Sequence, residues 1–156
     1  MTLFFNPAAA VGAFIVAPDG RVLVIRREHD PGRGLLGLPG GFVDYGETAE
    51  DALRREVREE VGIDLDGMTY FCSFPNEYAF AAVTYRTLDF FYVARSATVS
   101  AAQPLDQVSA IEWLDPERVD LDRVAFASLR NAFGLIRRNP RWYLSLVGSA
   151  ASGFDK

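Results

Sequence analysis

The chain's pattern predicts an α+β fold with a mixed β-sheet, and three features carry that expectation. Two apolar, β-branched runs near the N-terminus flank a "PDG" turn signal. A glycine- and proline-rich stretch then gives way to a helical segment with its own start and stop signals. Aromatic, strand-like runs follow, and a second segment of helical period closes the pattern. No repeat, low-complexity tract or linker interrupts it, so residues 1–156 are expected to form a single domain with two helices.

In chain order, residues 8–17 and 21–28 are the first two strands. The stretch "HDPGRGLLGLPGG" holds five glycines and two prolines, so a shaped loop is expected rather than regular structure. "FVDYG" reads as a short strand or turn. Thr48, with Asp51 three residues on, resembles a capping box, and the helix it opens stops at Gly62 in the C′ position. "MTYFCSF" is a strand, "PNEYAF" a turn or loop, "AAVTYRTLDFFYVARS" a strand or hairpin arm, and "VSAIEWLD" another strand. Apolar residues Val124, Leu129, Phe133 and Ile136 place a second helix from Asp122 to Arg138. The tail, residues 139–156, is ambiguous: Trp142, Tyr143, Leu144, Leu146 and Val147 suit either a cover for the core or a contact in a homodimer.

Composition narrows the function classes. At 156 residues the chain can bury a core without staples. The one cysteine, Cys72, rules out an intramolecular disulfide framework, and its apolar neighbours make it a buried strand residue. The apolar run "AAAVGAFIVA" has no preceding Lys or Arg and is too short to span a bilayer, so no membrane segment and a cytoplasmic location are expected. A net charge of −5 disfavours a nucleic-acid surface, which depends on Lys and Arg neutralising phosphates. An anionic ligand needs another attractor, and a bound cation would serve.

The segment "EVREEVGI" breaks a local rule. Glu56, Glu59 and Glu60 gather at the end of a helix whose dipole disfavours carboxylates there. Repulsion at such spacings costs roughly 0.2–0.5 kcal/mol per pair. On a helical wheel the three fall within about 100° of one another. They flank the apolar stripe of Leu53, Val57 and Val61, so they lie beside the buried face. A hard divalent cation with oxygen ligands would relieve the repulsion. Arg54, Arg55 and Arg58 offer the plainer alternative of a salt-bridged surface helix. Gly40-Gly41 just upstream favours the cation, because glycine lets backbone approach a ligand closely.

Residues 41–63, "GFVDYGETAEDALRREVREEVGI", resemble the Nudix hydrolase signature G-x5-E-x7-R-E-U-x-E-E-x-G-U, in which U is a bulky aliphatic. All nine fixed positions match: Gly41, Glu47, Arg55, Glu56, Val57, Glu59, Glu60, Gly62 and Ile63. The preceding "GLLGLPGG" is similar to the family's lead-in, with Leu36 where tryptophan is common. The resemblance implies an α/β/α sandwich. It implies that Glu56, Glu59 and Glu60 ligate Mg²⁺ or Mn²⁺, that the Gly40 carbonyl is an additional ligand, and that Glu56 helps deprotonate water. Glu47 and Arg55 would form an orienting ion pair. The implied reaction is hydrolysis of a nucleoside diphosphate linked to another moiety X.

Other positions stay open. Arg26, Arg27 and Arg33 suit phosphate contacts and ordinary surface charge equally, and Arg27 is carried as a substrate candidate. His29 is expected as a loop residue rather than a base. The family's further acidic residue on a later loop has Asp106 as its candidate, with Gln107 beside it and Glu77 as a second loop carboxylate. Tyr78, Phe80 and Tyr85 are candidates for stacking a base. The substrate class expected is a nucleotide of the ADP-ribose or NDP-sugar type, with nucleoside triphosphates second. A nucleotide-sensing Nudix module is the alternative of a different class, but none of the signature's glutamates is missing. An isopentenyl-diphosphate isomerase would need a catalytic cysteine that Cys72 fits poorly.

Overall fold

The computed structural model describes residues 1–2 and 5–152, and of Tyr78, Ala151 and Ser152 the backbone alone. Seven strands run in the order β1 (Ala8–Ile15), β2 (Val22–Arg27), β3 (Leu36–Gly37), β4 (Gly40–Phe42), β5 (Gly67–Phe80), β6 (Val83–Arg95) and β7 (Val108–Leu114). Three helices accompany them: α1 (Ala49–Val61), α2 (Ala127–Arg138) and α3 (Pro140–Ser152). One sheet has the order β4-β1-β6-β5 and the other β3-β2-β7. The β1–β6 pairing is parallel while the β-ladders on either side of it are antiparallel, so the first sheet is mixed.

Alternation along β1 shows how the layers form. Val11, Ala13 and Ile15 point into a core shared with Leu53, Val57 and Val61 of α1. Phe14, between them, points the other way and packs edge-on against Phe71, Phe91 and Phe133, in the core covered by α2 and α3. Helices therefore cover both faces, and the α/β/α sandwich is present.

Both ends of α1 follow its sequence signals. Thr48 Oγ1 accepts the Asp51 N–H at 3.1 Å, and Gly62 closes the helix at φ 72°, its N–H reaching the Val57 and Arg58 carbonyls.

Four expectations need correction. The glycine-rich stretch is not wholly a loop: β3 and β4 lie within it, because β2 and β1 supply ladder partners at Ile25–Arg26 and Ala10–Gly12. "PNEYAF" is strand, paired residue for residue with β6 from Pro75↔Leu88 to Phe80↔Val83. Pro75 is tolerated because β5 is the sheet's edge. The second helix begins at Ala127 rather than Asp122, since residues 124–126 are held extended: Leu36 bridges Val124 and its carbonyl accepts the Ala125 N–H. Finally, there are three helices rather than two.

The third helix settles part of the tail, although residues 153–156 lie outside the described residues. Pro140 opens it, a position where the missing N–H costs nothing. Tyr143, Val147 and Ala150 are buried one turn apart, with Tyr143 against Phe14 and Phe71. The tail covers the core. Tyr143→Ala is expected to destabilise the protein by about 3 kcal/mol, a lost aromatic and its cavity, measurable as a lower urea midpoint at unchanged m-value.

Candidate active site

Five elements, β2, β4, α1, β5 and β6, meet at one cleft of about 490 Å³. α1 contributes Glu56, Glu59 and Glu60, β4 contributes Gly40 and Phe42, and the end of β2 contributes Arg27. Asp106 and Gln107, on the loop before β7, complete that side. The three glutamates that sequence spacing puts on one side of the helix all line this opening.

The two glycines are there for contact. A methyl group on Gly41 would stand 2.5 Å from Glu56 Cδ, and one on Gly40 would stand 2.0 Å from the Val11 carbonyl oxygen. Only bare backbone fits between β1 and the carboxylates. The Gly40 N–H donates to Glu60 Oε2 at 3.0 Å, which ties the helix to the strand.

Electrostatics in the cleft are unfavourable without a cation. Burial pushes the Glu60 carboxyl up to about 8, and the nearby charges of Glu56 and Asp106 add to it, against the Gly40 N–H and Arg27. Burial also raises Glu56, opposed by the Arg55 guanidinium. Asp30, Glu56, Glu59, Glu60, Asp89 and Asp106 line the cleft with Arg27 as the one guanidinium among its described residues. A phosphate entering such a site needs more positive charge than Arg27 supplies.

Arg55 organises the rim. Its Nε donates to Glu47 Oε1 at 2.7 Å and its Nη2 to Glu47 Oε2 at 3.0 Å, a bidentate pair. Its Nη1 donates to Glu56 Oε1 at 2.8 Å and stands 3.5 Å from Glu59 Oε2. Glu47 is held down to about 2, chiefly by the hydrogen bonds from Arg55 and then by the Asp44 N–H. The Glu47–Arg55 pair expected from sequence is therefore formed, and it reaches two of the three candidate ligands.

The donor set suits a hard divalent cation. Its atoms are carboxylate and backbone oxygens, the ligands such ions take. Among the described residues, as placed, no three His, Cys, Asp or Glu side chains converge closely enough to hold a metal ion by themselves.

Other sequence candidates divide. Asp106 and Gln107 both face the cleft, whereas Glu77 pairs with Arg86 at 3.1 Å on the exposed β5–β6 ribbon. Arg26 pairs with Glu112, and His29 is an exposed loop residue beside Glu28. Phe80 and Tyr85 line the cleft, and the Tyr78 side chain lies outside the described residues. Cys72 is buried in β5, with its thiol pushed up to about 12 by burial, which removes the isomerase reading's nucleophile. Missed altogether were Asn76, Thr87, Asp89 and Phe126. A signal for Asp89 existed: it is a lone carboxylate at period two with Phe91 and Val93 on a strand's core face.

The NUDIX domain family model matches residues 6–133, most of the chain. The protein belongs to the Nudix family. A stretch of 61 residues is 46% identical to an ADP-ribose pyrophosphatase of Methanocaldococcus jannaschii, covering 39% of this chain and 36% of that enzyme. The alignments to the first curated relatives span only 19% to 36% of their lengths. Among solved Nudix structures, a MutT hydrolase from Burkholderia pseudomallei is 29% identical, with a TM-score of 0.68 over 83% of this chain and 98% of that one. The Nudix domain of Shewanella oneidensis NrtR, solved with ADP ribose, is 25% identical, with a TM-score of 0.65 over 90% of each chain. The family match extends well past the 23-residue signature, and β1, β6 and the first part of α2 fall within the matched range.

Proposed function

We propose that this Nudix protein is a divalent-cation-dependent pyrophosphohydrolase of nucleoside diphosphates linked to another moiety, of the ADP-ribose type. The observation that carries the reading is the carboxylate-lined cleft, in which Glu60 is held far above its ordinary range and lies between Glu56, Asp106 and the Gly40 backbone. Glu56, Glu59, Glu60 and the Gly40 carbonyl would hold Mg²⁺ or Mn²⁺. Bound there, the ion would offset charge on the bridging phosphates and lower the pKa of a water.

The chain's own residues do the rest. Arg55, anchored by Glu47, fixes the Glu56 carboxylate and leaves one of its oxygens free to accept a proton. Arg27, its guanidinium 4.8 Å above the Phe126 ring, lines the same cleft and offers positive charge to a phosphate. Asp106 faces the same space and is the loop carboxylate best placed to join them. Phe80 and Tyr85 also line the cleft, and their aromatic rings suit a base. Support for the ADP-ribose class comes from the archaeal pyrophosphatase and from the Nudix domain solved with ADP ribose. Among the described residues no helix is long and apolar enough to cross a membrane. We assign the activity to residues 1–156 as one unit acting in the cytoplasm.

A substrate panel with Mg²⁺ and Mn²⁺ tests the assignment. ADP-ribose and NDP-sugars should yield phosphate only after a phosphatase is added, whereas triphosphate substrates would release pyrophosphate directly. Tight nucleotide binding without turnover across the panel would favour a sensor. Within the site, Arg55→Lys should lower kcat by about 10–100-fold, the usual cost of losing an orienting partner. Lysine keeps the charge but cannot bridge Glu47 and Glu56 together. Steady-state kinetics with the best substrate check this.

A further inference from the structure

Every buried polar residue among those described gathers at one place. Asn76, Thr87 and Ser128 are 7%, 2% and 1% exposed, and they lie around Asp89. Thr87 Oγ1 donates to Asp89 Oδ1 at 2.6 Å, and Ser128 Oγ donates to Asp89 Oδ2 at 2.5 Å. The carboxylate thus takes one hydroxyl on each oxygen. Asn76, Thr87 and Asp89 all line the cleft that holds the α1 glutamates.

Buried polar groups need hydrogen-bond partners, and here Asp89 accepts from both hydroxyls. Each Asp89 oxygen keeps a further lone pair after taking one hydroxyl. The site therefore offers acceptors from Asp89, and a donor and an acceptor from Asn76. A fixed negative charge repels phosphate, so this end of the cleft suits the uncharged part of a substrate.

We propose that Asp89, clamped by Thr87 and Ser128 and joined by Asn76, determines specificity by accepting hydrogen bonds from a neutral donor group of the substrate. That group is either a sugar hydroxyl or the amine of a base. The proposal rests on the pyrophosphohydrolase reading above. It gives Asp89 a part in choosing the substrate and none in cleaving the bond.

The test pairs one variant with three substrates. Asp89→Asn keeps the shape, and the two hydroxyls can rotate to suit the amide. ADP-ribose is compared with its 2-deoxyribose analogue and with the inosine analogue, which lacks the base amine. Wild-type protein should show a KM at least tenfold higher for the analogue that lacks the recognised group. In Asp89→Asn the KM for ADP-ribose should rise by a similar factor, and the preference over that analogue should disappear. Sensitivity to the deoxy analogue would assign the hydroxyl, and sensitivity to the inosine analogue the amine. Equal preference in wild type and variant for both analogues would overturn the proposal, as would a loss confined to kcat and accompanied by a lowered Tm. Asn76→Ala, which removes an amide that lines the cleft, serves as the second variant and should raise KM in the same sense. If wild-type protein turns over none of the three, the hydrolase reading fails. Dissociation constants measured in Ca²⁺ then make the same comparison for Asp89.

Discussion

Replacing Glu60 with glutamine is expected to lower turnover roughly a thousandfold, the worth of several kcal/mol of charge stabilisation at the phosphates. The fold should survive, because a glutamine carbonyl can still accept the Gly40 N–H that Glu60 accepts at 3.0 Å. Without metal the variant should be the more stable protein, in a pH-dependent way. The native carboxyl is raised from 4.5 to about 8. Below the lower value both folded and unfolded chains hold the proton, and the site costs nothing. Between the two values the unfolded chain ionises while the folded one does not, so stability falls as pH rises. Above about 8 the penalty is complete. Thermal melts in EDTA across this range should therefore show Glu60→Gln gaining on the wild type and then holding its lead. A cation binds the ionised form, so catalysis runs the opposite way: rates should climb with pH over the same interval, and more Mg²⁺ should move the midpoint lower.

The second large effect is expected from Gly41→Ala. Its new methyl would sit 2.5 Å from the Glu56 carboxyl carbon and within 2.8 Å of both oxygens. The Glu56 side chain is the part that can yield, and moving it breaks its 2.8 Å contact with Arg55. A displacement on the order of 1 Å at a reacting group can cost roughly a hundredfold in rate. Stability should change little, so kcat and Tm measured on the same preparation separate this outcome from simple misfolding. If Gly41→Ala retained full activity, Glu56 would not be held where the proposed ligand set needs it.

The most legible part of the site was local. Helical spacing grouped Glu56, Glu59 and Glu60 on one side, Gly40-Gly41 and the nine-position signature turned that group into a candidate site, and Thr48 and Gly62 marked both ends of the helix. Long-range pairing was not legible. Nothing in "LLGLPGG" says that β1 and β2 will recruit it into strands, or that Leu36 will hold Val124 extended and delay α2. "PNEYAF" carries turn-forming residues, yet pairing with β6 overrides them. The same reason hid Asp89. Its importance depends on Ser128, 39 residues away, and on an asparagine from the neighbouring strand. The four-residue spacing of Tyr143 and Val147 fitted a helix as well as a subunit contact, and only packing against Phe14 and Phe71 decided what the tail covers.

The most direct test of the whole account is AMP release from ADP-ribose at pH 8, followed chromatographically as Mg²⁺ is titrated into metal-free protein. The account predicts no AMP in EDTA, a saturable rise with Mg²⁺ accompanied by ribose 5-phosphate, and near-complete loss of both in Glu60→Gln. AMP formation that is indifferent to EDTA, or undiminished in Glu60→Gln, would contradict it.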